Sequence, residues 1–283
     1  MCACDIQTTL EAESFKKIAA LTYRESGIVL VQEKILMVQS RLTHRLRALS
    51  LDNFYDYTAL VCSDSGRSER KHMISALTTN VSHFLREPHH FELLTERLLP
   101  LFRRRISAGE RIRIWSAGCS NGQEPYSIAL HMCRSEPALI EADFKILATD
   151  IDQNVIAFAK RATYPVSQLD ALRREDKSKF FFDTVDSEIP SLTVTESIRS
   201  LISFRELNLL ESWPMRQKFD AIFCRNVIIY FDIETQEGLW PRFRGALDRE
   251  GLLFLGHSER IVNASAFGFS KIGPTSYALT GHH

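Results

Sequence analysis

Several short stretches carry the residue types from which a ligand site is made. The longest, Arg111 to Ile128, reads RIRIWSAGCSNGQEPYSI. Ile112, Ile114 and Trp115 describe a buried strand, and a turn holding Gly118 and Gly122 follows. Tyr126, Ile128, Ala129 and Met132 then recur at helical spacing. A strand, a glycine turn and a helix place a helix N-terminus where a nucleotide-like ligand can lie. Gly118 is suited to φ > 0, and neither glycine has a Cβ to keep a ligand away. The same unit also serves in many α/β folds as a plain structural turn.

Residues farther along favour the ligand. FKILAT (144–149) reads as a strand and ends in Asp150. An acidic residue at that point accepts hydrogen bonds from ribose hydroxyls. The turn AGCSNG has Ala117 in place of the first glycine of G-x-G-x-x-G, and no basic residue to hold a pyrophosphate. A ribose-bearing ligand without phosphates fits better, and S-adenosylmethionine is the common one. FDAIFC (219–224) ends in Arg225-Asn226, followed by Val227, Ile228, Ile229, Tyr230 and Phe231. Taken singly, Asn226 is also an ordinary turn residue and Tyr230 an ordinary half-buried aromatic. The polar stretch TTNVSHFLREPHH (78–90) adds Asn80, Ser82, His83, Arg86, His89 and His90. No metal site is expected from its histidines, since adjacent side chains diverge on a helix.

These residues need elements to position them. Before residue 78 no convincing strand occurs, and residues 1–78 read as an all-helical domain. Its helices cover about 11–26, closed by Gly27, then 31–49, then a helix bearing Phe54, Tyr57, Leu60 and Val61, then one capped by Ser68. The second helix has an apolar stripe of Ile35, Val38, Leu42, Leu46 and Leu49, flanked by Lys34, Arg41, His44, Arg45 and Arg47. That basic flank is either a solvated face or a docking surface for an acidic or helical partner. Residues 79–283 alternate strands and helices, the pattern of a doubly wound, mostly parallel α/β sheet. Residues 165–182 are expected to be helical. SLTVT (191–195) and LISF (201–204) suggest a small antiparallel insertion over roughly 180–204.

Composition narrows the function. Apolar residues make up 45% and charged residues 25%, with a formal net charge of +0, so no global field draws nucleic acid or an anionic membrane. No apolar run approaches the roughly 20 residues that span a bilayer, and the first residues lack the pattern of a secretory signal. The six scattered cysteines suggest a reducing, cytoplasmic setting. Cys2-x-Cys4 has no second ligand pair at finger spacing, and a disordered tail is expected there.

The stretches ALTTNVSHFLRE (76–87), IWSAGCSNGQEPYSIA (114–129), ATDID (148–152), FDAIFCRNVIIYFD (219–232) and GLLFLGHSE (251–259) resemble those of CheR proteins, the chemotaxis receptor glutamate methyltransferases. RLTHRLRAL (41–49) resembles their N-terminal domain. The resemblance implies a Rossmann-like methyltransferase domain behind an all-α domain, with S-adenosylmethionine as cofactor. It places cofactor contacts on Asn80, Ser82, Arg86, Gly118, Glu124, Asp150, Asn208, Leu209, Arg225 and Asn226. It also implies that Arg86 and Tyr230 orient a glutamate carboxylate. Arg41, Arg45 and Arg47 would dock the cytoplasmic helical region of a chemoreceptor, with neither nucleic acid binding nor membrane insertion. Ser82 replaces a usual threonine, and Asn121 and Gln123 replace the usual Thr and Glu of the turn. The segment FFFDTVDSEIPSLTVTESIRS (180–200) lacks the glycine with which some members bind a receptor's C-terminal pentapeptide, so docking without that tether is expected. The alternative is a non-catalytic cofactor-binding scaffold. A nucleic-acid methyltransferase would want a DPPY-type motif after FDAIFC, and an NAD oxidoreductase a grip on phosphates.

Overall fold

The structure, a computed structural model, describes residues 9–185 and 188–281. Cys2 and Cys4 lie outside them. The chain divides into two compact units: Met1–Thr79 with Tyr230–Asp232, and Asn80–Ile229 with Ile233–His283.

The first unit packs four helices, α1 (Ala12–Ser26), α2 (Ile35–Ala48), α3 (Phe54–Cys62) and α4 (Arg67–Leu77). Their apolar stripes meet in a core of Phe15, Ile18, Val38, Leu42, Leu46, Tyr57, Val61 and Met73, all at most 2% exposed. Gly27 closes α1 at φ 73°. Ser68 does not cap α4: the helix starts one residue earlier, from Gly66. Gly66 is dictated by crowding, since a Cβ there would meet the Leu60 carbonyl oxygen at 2.1 Å. Tyr230–Asp232 is held within this unit, where Val29 N donates to Tyr230 O at 2.9 Å and Tyr23 Oη to Asp232 Oδ2 at 2.7 Å.

The second unit begins with α5 (Pro88–Ala108), whose Pro88 sits at the first helical position. It continues through β1 (Ile112–Ala117), α6 (Gln123–Ser135), β2 (Phe144–Asp150), α7 (Gln153–Arg161), β3 (Thr163–Pro165), α8 (Arg174–Phe180), β4 (Phe181–Asp183), β5 (Ser191–Val194) and α9 (Glu196–Arg199). The chain then forms β6 (Ile202–Glu206), β7 (Phe219–Cys224), α10 (Ile233–Ala246), β8 (Leu247–Leu255), β9 (Phe269–Gly273) and β10 (Ser276–Leu279). A seven-stranded sheet runs β6-β2-β1-β7-β8-β10-β9. Its first five strands are parallel, and β10 and β9 are antiparallel at one edge. β7 is buried along its whole length, as a central parallel strand covered on both faces must be. Helix crossovers wind outward from β1 to β2 on one side, and β7 and β8 lie on the other. The topological switch point therefore lies between β1 and β7.

Two expected elements differ. Residues 165–182 are α-helical only over Arg174–Phe180, with a 3-10 turn at Val166–Gln168; Phe181–Asp183 is strand and pairs with β5. Consecutive phenylalanines favour the extended chain, where alternate rings find different faces. Residues 201–204 do not join the small antiparallel sheet, which is β3-β5-β4 and therefore begins at Thr163. Ile202–Glu206 instead forms the parallel edge of the main sheet against β2. Its alternation of buried and exposed residues marks one covered face but does not say which strand is its neighbour.

Candidate functional site

In a doubly wound sheet the ligand crevice opens outside the carboxyl ends of the strands at the switch point. β1 delivers the glycine turn there and β7 delivers Arg225 and Asn226. Gly118 takes φ 86°, and its missing side chain makes room for Val227, whose Cγ2 would lie 2.2 Å from a Cβ. Gly118 N and Cys119 N both donate to Thr149 O, at 2.7 and 2.9 Å, which ties the turn to the end of β2. Gly122, φ 88°, lets α6 start against Ala159 and Tyr164. Asn121 and Gln123 face the same neighbourhood: Tyr164 Oη donates to Asn121 O at 2.7 Å, and Gln123 Nε2 to Gln168 Oε1 at 3.5 Å.

Asp150 closes β2 and is buried. Its Oδ2 accepts from Ser120 N at 2.8 Å and its Oδ1 from Asp152 N at 3.0 Å. Burial pushes its carboxyl up to about 6, against the pull of these N–H groups. Asp152 caps α7 and accepts from Asn80 Nδ2 at 2.9 Å, while Ser120 Oγ donates to Asn80 O at 3.0 Å. Asn80 is thereby fixed beside the turn. Leu207 N donates to Asp150 O at 2.9 Å, which brings the loop with Asn208 and Leu209 beside the end of β2. Asn208 Oδ1 accepts from Leu210 N at 3.0 Å, and Leu209 O from Trp213 Nε1 at 3.1 Å and Arg242 Nη1 at 2.6 Å.

Arg225 is the hub. Its side chain is 2% exposed and lies between two carboxylates, Glu124 Oε2 at 3.2 Å and Glu87 Oε2 at 3.3 Å. Its Nη2 also donates to the Arg86 carbonyl. Glu124 accepts from Ser116 Oγ at 2.7 Å. Burial raises the Glu124 carboxyl above its ordinary range, with Arg225 pulling the other way. Arg86 is half-buried and reaches Val81 O at 3.4 Å; Ser82, four positions earlier, is also half-buried. Of the eight non-glycine residues with positive φ among the described residues, Leu85, Glu87, Ser120 and Asn226 lie in these segments. Such backbone persists only where surroundings over-determine it.

Three acidic residues here were not singled out by their sequence: Glu87, Asp152 and Glu259. Glu259 is 3% exposed and accepts from Asn226 N at 2.8 Å, Gly256 N at 2.6 Å and Ile229 N at 3.2 Å. It fixes the turn after β7 from the loop after β8. The only signal was membership of the matched stretches, since the partners that tie them into the site, Arg225, Asn80 and Asn226, are distant in sequence.

The adjacent histidines do not diverge: their ring centroids are 4.2 Å apart. Glu87, His89 and His90 bring one donor atom each within 4.8 Å of one another. The cation beside Glu87 is already Arg225, and a dication added here would face its guanidinium across one shared carboxylate. Burial, then Arg225, lowers the His90 pKa to about 3, so its ring is neutral.

The remaining expected residues lie in the helical unit. Arg45 makes a bidentate pair with Glu69, at 2.9 and 2.6 Å, and Tyr57 Oη donates to the same carboxylate at 3.1 Å. Arg41 donates to Leu77 O, Thr78 O and Thr79 Oγ1 at 2.7–2.9 Å. Both guanidinium groups are thus committed inward, whereas Arg47 is exposed. Tyr230 is half-buried.

Comparison with known proteins agrees with this geometry. The family model described as CheR methyltransferase, SAM binding domain, matches residues 80–277. The one described as CheR methyltransferase, all-alpha domain, matches residues 13–78. A probable chemotaxis protein methyltransferase of Rhizobium etli is 43% identical over 260 residues, 92% of this chain and 97% of that protein. Chemotaxis protein methyltransferase 2 of Pseudomonas aeruginosa is 40% identical, covering 94% of this chain and 92% of that protein. The chemotaxis protein methyltransferase of Salmonella typhimurium is also 40% identical, covering 94% and 90%. S-adenosylmethionine is the cofactor of the second unit. The residues present fit it: Asp150 offers a carboxylate at the end of β2, and residues 118–122 hold no cation for a phosphate. Glu87, Glu124 and Asp150 outnumber Arg86 and Arg225, a balance that suits a cationic sulfonium.

Proposed function

The chain belongs to the CheR methyltransferase family, and from that premise we propose that it methylates glutamate side-chain carboxylates of chemoreceptors in the cytoplasm. The observation that carries the reading is the constellation at the switch point, where Asp150, Glu124 and Arg225 converge on the glycine turn. The acceptor class is supported by the names of the relatives at 40% identity or more.

The cofactor, when bound, supplies a methyl group on a positively charged sulfur. The protein's part is to hold and orient. A glutamate carboxylate is ionised near pH 7, so no strong base is required. Arg86 orients the acceptor carboxylate through its guanidinium, and Tyr230 positions it through its hydroxyl. Neither acts as a general base. Asn80, Ser82, Arg86, Gly118, Glu124, Asp150, Asn208, Leu209, Arg225 and Asn226 hold the cofactor. Residues 79–283 form the methyltransferase domain, and residues 1–78 dock the cytoplasmic helical region of the receptor. Of the three arginines Arg41, Arg45 and Arg47 on that helix, Arg47 is the exposed one and meets an acidic partner. Docking needs no C-terminal pentapeptide tether, because the segment around β4 and β5 has no glycine.

The test is incubation with methyl-labelled S-adenosylmethionine and receptor membranes, followed by mild alkali. Label released as methanol is expected from a carboxyl ester. Label that resists alkali refutes this chemistry, and cofactor binding without turnover points to a scaffold. Titration with a receptor C-terminal peptide should give no heat of binding.

A further inference from the structure

Arg86 sits on a turn that does not hold itself. Leu85 and Glu87, on either side of it, both take left-handed backbone, φ 53° and 57°. For residues with a Cβ this costs about 1–2 kcal/mol each, so the turn needs outside restraint. Leu85 N donates to Ser127 Oγ at 2.9 Å, and the Arg86 carbonyl accepts from Arg225. The Glu87 carbonyl accepts from His90 N at 3.1 Å, and a further restraint is the Glu87 side chain. Glu87 occupies the N-cap position of α5, yet its carboxylate does not cap the helix. It reaches across instead. Oε2 lies 3.3 Å from Arg225 Nη2 after β7, and Oε1 accepts from His257 N, with His257 Nδ1 also at 3.1 Å, after β8. The side chain is 10% exposed, and burial opposes its ionisation. Arg225 and the His257 contacts more than offset that, and its pKa is lowered. A buried carboxylate thus pins the turn to the ends of two strands.

We infer that Glu87 is a positioning residue for methyl transfer: it fixes the backbone that aims Arg86, and acts on the reaction through that guanidinium. The inference rests on the assignment of Arg86 to the acceptor carboxylate. It differs from a purely structural role, in which losing Glu87 would loosen the whole unit irrespective of Arg86. It also differs from a cofactor role exerted through Arg225, which keeps Glu124 as its second partner.

The experiment is a double-mutant cycle on the full chain with Arg86→Ala, Glu87→Gln and the pair. Rates are read with labelled S-adenosylmethionine and receptor membranes, and cofactor affinity by calorimetry. Glu87→Gln should lower kcat about 100-fold, the cost of a small misplacement at a reacting centre. Its cofactor Kd should stay within about threefold, and the pair should be no more than about threefold slower than Arg86→Ala alone, as for residues acting as one unit. His257→Ala, at a side chain 63% exposed, removes the Nδ1 contact to the carboxylate without touching the core and leaves the backbone N–H on the same Oε1. It should slow turnover about fivefold and be silent on the Arg86→Ala background. Losses that multiply would overturn the inference, as would unchanged rates in Glu87→Gln and His257→Ala or a Kd that rises as far as kcat falls. If Glu87→Gln does not fold, His257→Ala decides by the same criteria. A normal kcat in Arg86→Ala overturns the prior assignment of Arg86 instead.

Discussion

Two buried arginine–carboxylate clusters, one in each unit, use the same groups to different ends. In the helical unit Arg45 meets one carboxylate, Glu69, in a bidentate fork completed by Tyr57. One cation faces one anion on regular helices, and every member knits α2, α3 and α4 to one another. In the second unit Arg225 faces Glu87 and Glu124, an unequal count, and its neighbours stand on left-handed backbone. Glu87 Oε2 and Arg225 Nε have no hydrogen-bond partner among the described residues. The first cluster is complete within the fold. The second carries more anions than cations and stands on left-handed backbone, features that cluster at functional sites.

Breaking each hub separates the two roles. Arg225→Met leaves Glu87 and Glu124 facing each other without their cation. Removing one partner of a buried pair costs about 3–5 kcal/mol, and here the proposed cofactor contact goes with it. Calorimetry should find cofactor binding weakened at least about 100-fold, the equivalent of about 2.7 kcal/mol, together with a lowered unfolding midpoint. A variant that binds the cofactor normally would remove Arg225 from the site.

The helical cluster should respond in stability alone. Arg45→Met strands Glu69 and should cost about 3 kcal/mol, read by thermal unfolding, while the cofactor Kd stays unchanged. Arg45→Met with Glu69→Leu should recover most of that loss, since apolar replacement of a complete buried pair is often neutral. If the double variant is as unstable as the single one, the cluster is more than a balanced pair.

Gly256 gives a smaller perturbation of the second unit. A Cβ there would lie 2.5 Å from Asn226 Nδ2, 2.7 Å from Asn226 N and 2.8 Å from Glu259 Oε2. Two of these are the backbone and carboxylate that set the turn after β7. Gly256→Ala should therefore destabilise by about 1–3 kcal/mol, the usual range for overpacking, and weaken cofactor binding through Asn226. Retained affinity in a destabilised variant would mean that Glu259 holds the turn for folding only.

The comparison also explains what could be read from the residues in order. The glycine turn, Asp150 and Arg225-Asn226 were legible because each ends a strand, and a doubly wound sheet gathers its strand ends on one edge. Glu87 and Glu259 were not, because their partners at Arg225 and Asn226 lie 138 and 33 positions away, and nothing local announces the pairing. The inward pairing of Arg45 was not legible for a related reason: periodicity gives the flank of a helix but not its neighbour. Glu69 lies 24 positions on and turns an apparent docking charge inward. Ile202–Glu206 shows the same limit for a strand, since alternation reveals a face and not a partner. The small sheet was read from its last strand only, because Thr163–Pro165 is too short to carry a period.

The finest test of the contrast is pH. Burial holds the Asp150 carboxyl at about 6. Its folded pKa is above the ordinary carboxyl value of about 3.9, so the folded cofactor-free protein takes up this proton before the unfolded chain does. Between about pH 6 and pH 4 this group therefore adds stability as the pH falls. Cofactor binding should move the opposite way, because protonated Asp150 loses the charge proposed to accept ribose hydroxyls. Affinity should be flat above about pH 7 and fall by up to about tenfold per unit below about pH 6. Asp150→Asn should abolish both trends, with weak, pH-independent binding throughout. A wild-type affinity that stays level from pH 7.5 to 5 would mean that Asp150 only braces the turn through Ser120 N, and the ribose contact would have to be sought elsewhere.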